Sequence, residues 1–418
     1  MTARGGVAAA AVGCALFVAA CTVPHIGLFS GQLGTSRFQT YGDRTLAGSI
    51  PYRDFSLEYP PGALPAFVVP SLGPERDYDS WFMSFEVACG LVCVAVVGAV
   101  TRSRAAAAYA ALAPLALGPL TLHRYDLWAA ALATAAVAAV AAGWARAGFA
   151  ALAAGAAAKL FPAILVPVAL VRVGRRNAVH ALAWFLAILL LVAGPFLVLG
   201  AGGVRFSVEQ QTGRALQLES VASSALLAAH AAGAYSPRVV FGDGSWNLSG
   251  RLPDALATLS TALQFGAVAA VWLLYARGPR TRGRFFLAAA AAVAAWVALG
   301  KVLSPQFLLW LVPLVALVRR PRYALVLLVA LALTRAVYPA RYDDLVDLQT
   351  LPIALLGARN VLLLALAGLL ALDLQRQRVL EEVRAEHERA RLCDAVVVDR
   401  GERNGPDGVP GVEPGSRH

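Results

Sequence analysis

The stretch from residue 38 to residue 65 carries the densest group of side chains that could do chemistry. It holds three carboxylates, Asp43, Asp54 and Glu58, among tyrosines, phenylalanines and prolines. A carboxylate can take a proton from a hydroxyl, and an aromatic ring offers a face on which a sugar can stack. The stretch therefore favours a polyhydroxyl ligand. It fits equally well an interfacial helix with surface acids and tyrosines at the membrane boundary.

Lysine is the second chemical signal. The chain contains Lys159 and Lys301 and no other lysine among its 36 basic residues. Both stand in short turns between apolar segments, where an ionisable group is costly and is usually functional. The alternative is that both lysines extend to nearby lipid headgroups.

The segments that position these side chains are long and apolar. Of the 418 residues, 59% are hydrophobic and only 15% are charged, whereas soluble domains contain about 25% charged residues. Several apolar runs exceed the roughly 18 residues that make a spanning helix. Alanine and leucine dominate them, without the alternation of a membrane barrel. We therefore expect an all-α polytopic membrane protein with no separately folded soluble domain.

About twelve transmembrane helices are predicted, two of them short. Segments 147–158 and 160–171 are expected to form a hairpin turning at Lys159, because a single helix there would invert every later loop. A helix of 12 residues extends only about 18 Å, so this hairpin should not cross fully. The predicted spans are 6–28, 81–100, 105–122, 127–143, 147–158, 160–171, 178–200, 254–275, 285–300, 307–318, 323–340 and 351–373.

The net charge of +11 is distributed in a way that excludes nucleic acid as the expected partner. Arginines stand in short clusters between the apolar segments, and alternate clusters contain no acid. This is the pattern of cytoplasmic loops, and it predicts a protein of the cell membrane with both termini in the cytoplasm. The clusters lie at 102–104, at 146, at 172–176, at 277–284 and at 319–322.

The same orientation divides the chain into regions. Residues 1–373 form the predicted transmembrane domain, with a first outer loop at 31–80 and a second large outer loop at 201–253. Residues 374–418 are predicted to form a cytoplasmic charged helix followed by a disordered tail. The five cysteines follow neither a disulfide framework nor a zinc-binding spacing. Mixed polar loops fall on the outer face, so any chemistry is expected there.

Six short motifs, which cover about residues 30–375 in order, resemble a known family. The chain is similar to the polyprenyl-phosphate-sugar-dependent glycosyltransferases of the GT-C superfamily, specifically the actinobacterial members of glycosyltransferase family 87. The motifs are ProTyrArgAspPheSerLeuGluTyrProPro at 51–61, ArgTyrAspLeu at 124–127, LysLeuPhePro at 159–162, GlnThrGlyArgAlaLeuGlnLeuGluSer at 211–220, LysValLeuSerProGlnPheLeuLeuTrp at 301–310 and ArgAsn at 359–360.

The resemblance implies a GT-C-like bundle with long periplasmic loops and an inverting transfer on the extracytoplasmic face. A mannose-like hexose or arabinose would leave a polyprenyl-phosphate donor for a lipid or glycan acceptor of the envelope. An acid of the first outer loop would be the general base, with Asp54 the first choice, Asp43 the second and Glu58 the third. We expect no cofactor and no metal.

The remaining roles follow from what such a transfer needs. Cations must hold the departing phosphate, and polar or aromatic groups must orient the sugar. The expected phosphate ligands are Lys159, Lys301, Arg214 and Arg124. The expected substrate-binding residues are Tyr52, Tyr59, Gln306 and His123.

Several alternatives stay open. The resembled family often carries an aspartate at the position of Gly34, so its usual base is absent here. Asp54 could instead form an ion pair with Arg53, and Arg124 could pair with Asp126. A transporter or lipid flippase also suits a bundle with charged groups in the membrane, and so does a non-catalytic scaffold of envelope assembly.

Overall fold

The computed structural model describes residues 3–23, 27–29 and 33–403, and the side chains of 4–23, 27–29 and 33–380. Helices dominate it. They are α1 Ala3–Thr22, α2 Ser36–Leu46, α3 Leu64–Val68, α4 Tyr78–Thr101, α5 Arg104–Leu112, α6 Pro114–Leu117, α7 Asp126–Ala141, α8 Ala145–Ala158, α9 Val166–Val173, α10 Arg175–Thr212, α11 Val221–Ala231, α12 Arg251–Ala276, α13 Arg282–Leu299, α14 Leu311–Val318, α15 Pro321–Val337, α16 Tyr342–Val346 and α17 Thr350–Arg403. Short 3₁₀ helices at 61–63, 70–72, 75–77, 118–121, 161–165 and 305–310 connect them.

The membrane character of the chain is clear from its helices. Six of those described are long and apolar enough to cross a bilayer. They are Arg4–Thr22, Glu75–Thr101, Arg175–Thr212, Arg251–Ala276, Arg282–Leu299 and Thr350–Leu380. The other predicted spans coincide with shorter or broken helices, so a count of twelve crossings stays a prediction. The all-α membrane class is confirmed.

Prolines and glycines break segments that the sequence predicts as single helices. The predicted span 105–122 divides at Pro114, and Gly118 (φ 79°) ends α6 in a conformation that favours glycine. Arg335 of α15 donates to the freed carbonyl oxygen of Leu115 at 3.0 Å. This contact explains the arginine near the end of an apolar helix, because an unpaired buried carbonyl is costly.

Helix α10 also differs from its predicted span of 178–200. It continues to Thr212, with non-helical backbone at Gly200 and a proline at 195. Gly203 lies on the turn after the kink, where an added Cβ would stand 2.1 Å from the carbonyl oxygen of Tyr52. The glycine therefore lets the first outer loop, which contains Tyr52 and Glu58, pack directly against α10.

The end of the chain continues the last span. Helix α17 passes through the predicted boundary at residue 373 without a break and ends at Arg403. The predicted charged helix after residue 374 is thus an extension of a membrane helix. Residues 404–418, where a disordered end is predicted, lie outside the described residues, and so do the side chains beyond residue 380, including that of Cys393.

A small antiparallel sheet, absent from the sequence prediction, lies within the second large outer loop. Strands β1 Leu216–Gln217, β2 Arg238–Gly242 and β3 Ser245–Ser249 pair in the order β1-β3-β2. Asp243 (φ 51°) and Gly244 (φ 70°) make the tight turn between β2 and β3, as an Asp-Gly pair commonly does. The sheet packs through Leu216 and Leu248 on the core formed with α16 and α17.

The two ends of the bundle bring together different sets of loops. At one end, the predicted inner loops meet: Arg172 donates to the carbonyl oxygen of Arg280 at 2.7 Å, and Arg282 donates to that of Val100 at 3.1 Å. At the other end, the predicted outer loops surround a polar cavity. Loops that the sequence assigns to one face are therefore neighbours in space.

Candidate active site

One polar cavity of about 530 Å³ lies at the end formed by the predicted outer loops. It is lined by parts of α2, the loop before residue 60, the turns before α7 and after α8, the end of α10, the small sheet, the segment before α14 and the region of α16. Its charged side chains are four cations and four carboxylates: Arg37, Arg124, Lys159, Arg214, Glu58, Asp126, Glu219 and Asp243. Mixed charges in one cavity suit a ligand with both a phosphate and hydroxyl groups.

Aromatic packing holds the first outer loop at the cavity. Phe38 of α2 stacks on Phe67 of α3, with ring centroids 4.9 Å apart, and on Phe82 of α4 at 5.3 Å. Tyr59 packs edge-on against Tyr125, the residue before α7, at 5.1 Å. Rings packed in this way bury much surface and restrict the loop, so Tyr59 and its neighbours have defined positions.

Lys159 and Asp126 form a buried ion pair in the cavity. The Lys159 Nζ donates to Asp126 Oδ1 at 2.7 Å, and the indole N–H of Trp310 donates to the same oxygen at 2.7 Å. The ammonium lies 4.6 Å from the ring centre of Tyr125 and 5.2 Å from that of Phe307. Ring faces stabilise a cation. Asp126 pairs with Lys159, and Arg124 donates instead to the carbonyl oxygen of His123.

Glu86 of α4 lies behind this pair and is fully buried. Its Oε2 accepts a hydrogen bond from the backbone N–H of Leu127 at 2.9 Å, in the first turn of α7. A carboxylate at a helix N-terminus satisfies otherwise unpaired N–H groups. The sequence places this acid within the predicted span 81–100 and does not indicate its partner. Its structural role is to position the turn that carries Asp126.

We expect Glu86→Ala to lower the free energy of unfolding by about 1–3 kcal/mol, since it leaves a buried donor without an acceptor. Glu86→Gln keeps an oxygen acceptor at the same place and should unfold close to the wild type. Denaturant titration of the detergent-purified protein measures both. Equal destabilisation by the two substitutions would contradict the capping role.

At the cavity rim, Arg37 pairs with Glu58. The guanidinium contacts both carboxylate oxygens, at 3.0 and 3.2 Å, and the Glu58 side chain is 35% exposed. Ser207 and Gln211 of α10 donate to the carbonyl oxygen of Glu58 at 3.3 and 2.9 Å. A surface ion pair is weak, so the carboxylate can exchange this partner for a ligand while its backbone stays fixed.

Two cavity cations have no carboxylate partner. Among the residues that the structure describes, Arg124 and Arg214 form no ion pair within 4.0 Å of a carboxylate. Arg214 donates to the hydroxyl of Ser245 at 2.7 Å, which ties it to the β2–β3 hairpin. Burial lowers the pKa of Arg214, but a guanidinium remains charged at neutral pH. Each arginine therefore keeps a positive charge that no ion-paired carboxylate of the described residues neutralises, and both attract an anion.

Glu219 is a cavity carboxylate that is not among the site residues predicted from the sequence. It follows β1, is 2% exposed, and accepts hydrogen bonds at 3.3 Å from Tyr342 and from Gln217. Burial raises its pKa to about 7, although the nearby Arg359 opposes that shift. Its position within the motif at 211–220 could have indicated a functional residue. From the sequence alone, however, an acid in such a segment is equally compatible with an ordinary surface position.

The three residues predicted as general bases differ in their position relative to the cavity. Asp54 forms an ion pair with Arg53 at 2.8 Å and accepts the N–H of Ile50 at 2.7 Å. The hydrogen bond from Arg53 holds its pKa at about 2. Neither Asp54 nor Asp43 lines the cavity, whereas Glu58 does. Of the three bases expected from the sequence, Glu58 is therefore the one that lines the cavity.

The predicted phosphate-binding cations and substrate-binding residues also fall into two groups, those that line the cavity and those that do not. Lys159, Arg124, Arg214, Tyr59 and Gln306 all line the cavity. Three others, Lys301, Tyr52 and His123, are outside its lining and bind backbone oxygens: those of Thr212 at 2.9 Å, Tyr59 at 2.6 Å and Pro119 at 2.8 Å. These contacts give the three a structural role at the cavity's edge.

Gly34 lines the cavity as well. Among the described residues, no atom outside its two chain neighbours lies within 4 Å of a Cβ added there. Among the described residues, no three His, Cys, Asp or Glu side chains are grouped so that they could hold a metal ion. A comparison with protein-family models and a comparison with curated proteins found no match to the chain.

Proposed function

We propose that this protein is a membrane glycosyltransferase that moves a sugar from a polyprenyl-phosphate donor to an acceptor hydroxyl. The observation that carries the proposal is the cavity at one end of the bundle, where Arg124 and Arg214 have no carboxylate partner among the described residues and Glu58 stands at the rim. An anionic leaving group and a hydroxyl nucleophile need those two kinds of residue. The six sequence motifs that resemble those of glycosyltransferase family 87 support the same proposal.

Arg124 and Arg214 bind the donor phosphate in this proposal, and Lys159 contributes positive charge beside them. One guanidinium group can donate two parallel hydrogen bonds to two oxygens of a phosphate. Their charge matters most when the C1–O bond to the phosphate breaks, because the polyprenyl phosphate departs with the electron pair. Asp126 neutralises Lys159 in part, so the two arginines carry the larger share.

Glu58 acts as the general base. It accepts the proton of the acceptor hydroxyl while that oxygen forms its bond to C1 of the sugar, on the side opposite the phosphate. The configuration at C1 is therefore inverted. Arg37 orients the carboxylate before the acceptor arrives, through its contacts at 3.0 and 3.2 Å.

The donor's lipid chain places the reaction at the membrane. We assign the cavity to the extracytoplasmic face of the cell membrane and both termini to the cytoplasm, because the acid-free arginine clusters meet at the opposite end. A mannose-like hexose or arabinose is the proposed sugar, and an envelope lipid or glycan is the acceptor. A transporter would be expected to hold its polar site near mid-depth, and the cavity lies instead among the loops at the helix ends.

The experiment that tests the proposal measures transfer of radiolabelled sugar in membranes that contain the full-length protein. Polyprenyl-phosphate-mannose and polyprenyl-phosphate-arabinose are supplied separately, and membranes without the protein are the control. We expect label to move into a lipid or glycan fraction with one of the donors. No transfer with either donor, despite good expression, would favour the transporter or scaffold.

A further inference from the structure

Glu219 presents an incompletely bonded carboxyl group to the cavity. Tyr342 and Gln217 both donate to its Oε2, each at the long distance of 3.3 Å. Within the part of the chain that the structure describes, no side chain donates a hydrogen bond to Oε1. A buried carboxylate is costly unless hydrogen bonds compensate for lost water. The free oxygen is therefore a position where a donor on a ligand would be favourable.

Several elements hold this carboxyl group in place. The backbone oxygen of Glu219 accepts hydrogen bonds from Arg359 at 2.9 Å and from Asn360 at 3.2 Å, both on α17. Gln217 accepts the N–H of Leu303 on its Oε1 at 2.8 Å, which links β1 to the segment before α14. Groups fixed in this way lose little freedom on binding. The arrangement has the character of a built subsite.

The chemistry around Glu219 selects among ligand classes. A phosphate would be repelled by the carboxylate, and a metal ion would need more acids than the described residues bring together. A hydroxyl fits best, because it can donate to Oε1 and accept from the Gln217 amide. Tyr342 and Tyr338, whose rings meet edge-on at 5.0 Å, also line the cavity here and offer apolar contact to a sugar ring.

We propose that Glu219 binds a ring hydroxyl of the sugar that is transferred, and so selects donors that carry a hydroxyl at that position. This inference rests on the proposed function. Arg214 and Glu219 stand on either side of the short strand β1 and line the same cavity. A sugar attached to a phosphate on Arg214 would be adjacent to Glu219, which favours the donor sugar over the acceptor.

The test compares two ligands that share the polyprenyl phosphate: one carries the sugar on a phosphodiester, and the other ends in a phosphomonoester, which is more negatively charged near neutral pH. Binding of radiolabelled polyprenyl-phosphate-sugar, and its displacement by sugar-free polyprenyl phosphate, is measured on the full-length protein in lipid nanodiscs. We expect Glu219→Gln to weaken binding of the sugar-bearing ligand about 10- to 100-fold, as for loss of a hydrogen bond to a charged group. Binding of the sugar-free lipid should not weaken, because that lipid has no sugar hydroxyl to lose and the substitution removes a negative charge near its phosphate.

Glu209→Gln is the matched control, because Glu209 is an exposed acid that pairs with Arg205 on α10. Tyr342→Phe removes a hydrogen bond to Oε2 only and should cost a few-fold in affinity at most, so it tests the subsite if Glu219→Gln folds poorly. Equal losses for both ligands, or unchanged binding of both, would overturn the inference. If the wild type binds neither ligand, the proposed function itself fails.

The pH dependence of binding provides a second readout. Arg359 from α17 and Tyr342 from α16 are the charged and titratable groups that act on Glu219, and burial raises its pKa to about 7. The carboxylate form, which accepts a hydroxyl best, therefore grows between about pH 6 and pH 8. We expect affinity for the sugar-bearing donor to rise over this interval in the wild type and to stay flat in Glu219→Gln.

Discussion

Replacing Glu58 with glutamine should lower the rate of sugar transfer by about 100- to 10,000-fold, the usual effect of removing a general base. Glutamine has nearly the same shape but cannot accept the acceptor's proton. Donor binding should be unaffected, because the phosphate ligands Arg124 and Arg214 are untouched. Initial rates of label transfer and equilibrium donor binding, measured on the same membranes, separate the two effects.

Asp54→Asn provides the matched control on the same loop. Asp54 is held by Arg53 and by the N–H of Ile50, outside the cavity lining, so its loss should leave the transfer rate within a few-fold of the wild type. Asp43→Asn should behave likewise. If either substitution abolished transfer while Glu58→Gln remained active, Glu58 would be excluded and the order expected from the sequence would be restored.

The sequence alone predicts the fold class and the grouping of loops well. Apolar length identifies the helices, and the alternation of acid-free arginine clusters assigns each loop to one of two faces. Contacts such as that between Arg172 and Arg280 confirm that the predicted inner loops are neighbours. A turn at Lys159 is predicted because a single helix there would move every later arginine cluster to the other face. Lys159 lines the same cavity as Arg124 and Arg214.

Individual side-chain roles were less predictable, because they depend on direction within a loop. Asp54 and Glu58 are four residues apart in one motif, yet the bend at 51–55 turns Asp54 back onto Ile50 while Glu58 lines the cavity. Lys301 likewise stands beside the cavity but binds the carbonyl oxygen of Thr212. Spacing along a chain does not encode such turns.

Partners distant in sequence were also beyond prediction. Asp126 meets Lys159 and Trp310, which are brought to it by two other helical segments. The sequence left open a local pair between Arg124 and Asp126 instead. The three-stranded sheet was not predicted for a different reason. Strand β1 has only two residues, which is too few for a periodic pattern in the sequence. Its stability comes from pairing with β3.

Removing the two unpaired arginines should abolish donor binding. We expect Arg124→Gln and Arg214→Gln each to weaken binding of the polyprenyl-phosphate-sugar about 10- to 100-fold, since each loses hydrogen bonds between charged groups. The double substitution should lose more than either single one. Arg214→Lys should be intermediate, because a lysine keeps the charge but not the paired donors of a guanidinium.

The salt dependence of binding distinguishes direct phosphate contact from a structural effect. Each arginine that contacts the phosphate adds charge attraction, which salt screens, so donor affinity in the wild type should fall with salt more steeply than in either variant. Arg205→Gln is the control, because Arg205 is an exposed arginine of α10 paired with Glu209, and it should keep the wild-type slope. Unchanged donor affinity in the double variant would show that the phosphate binds elsewhere. The charges of this cavity would then serve another ligand, and a transporter would become the better explanation of the fold.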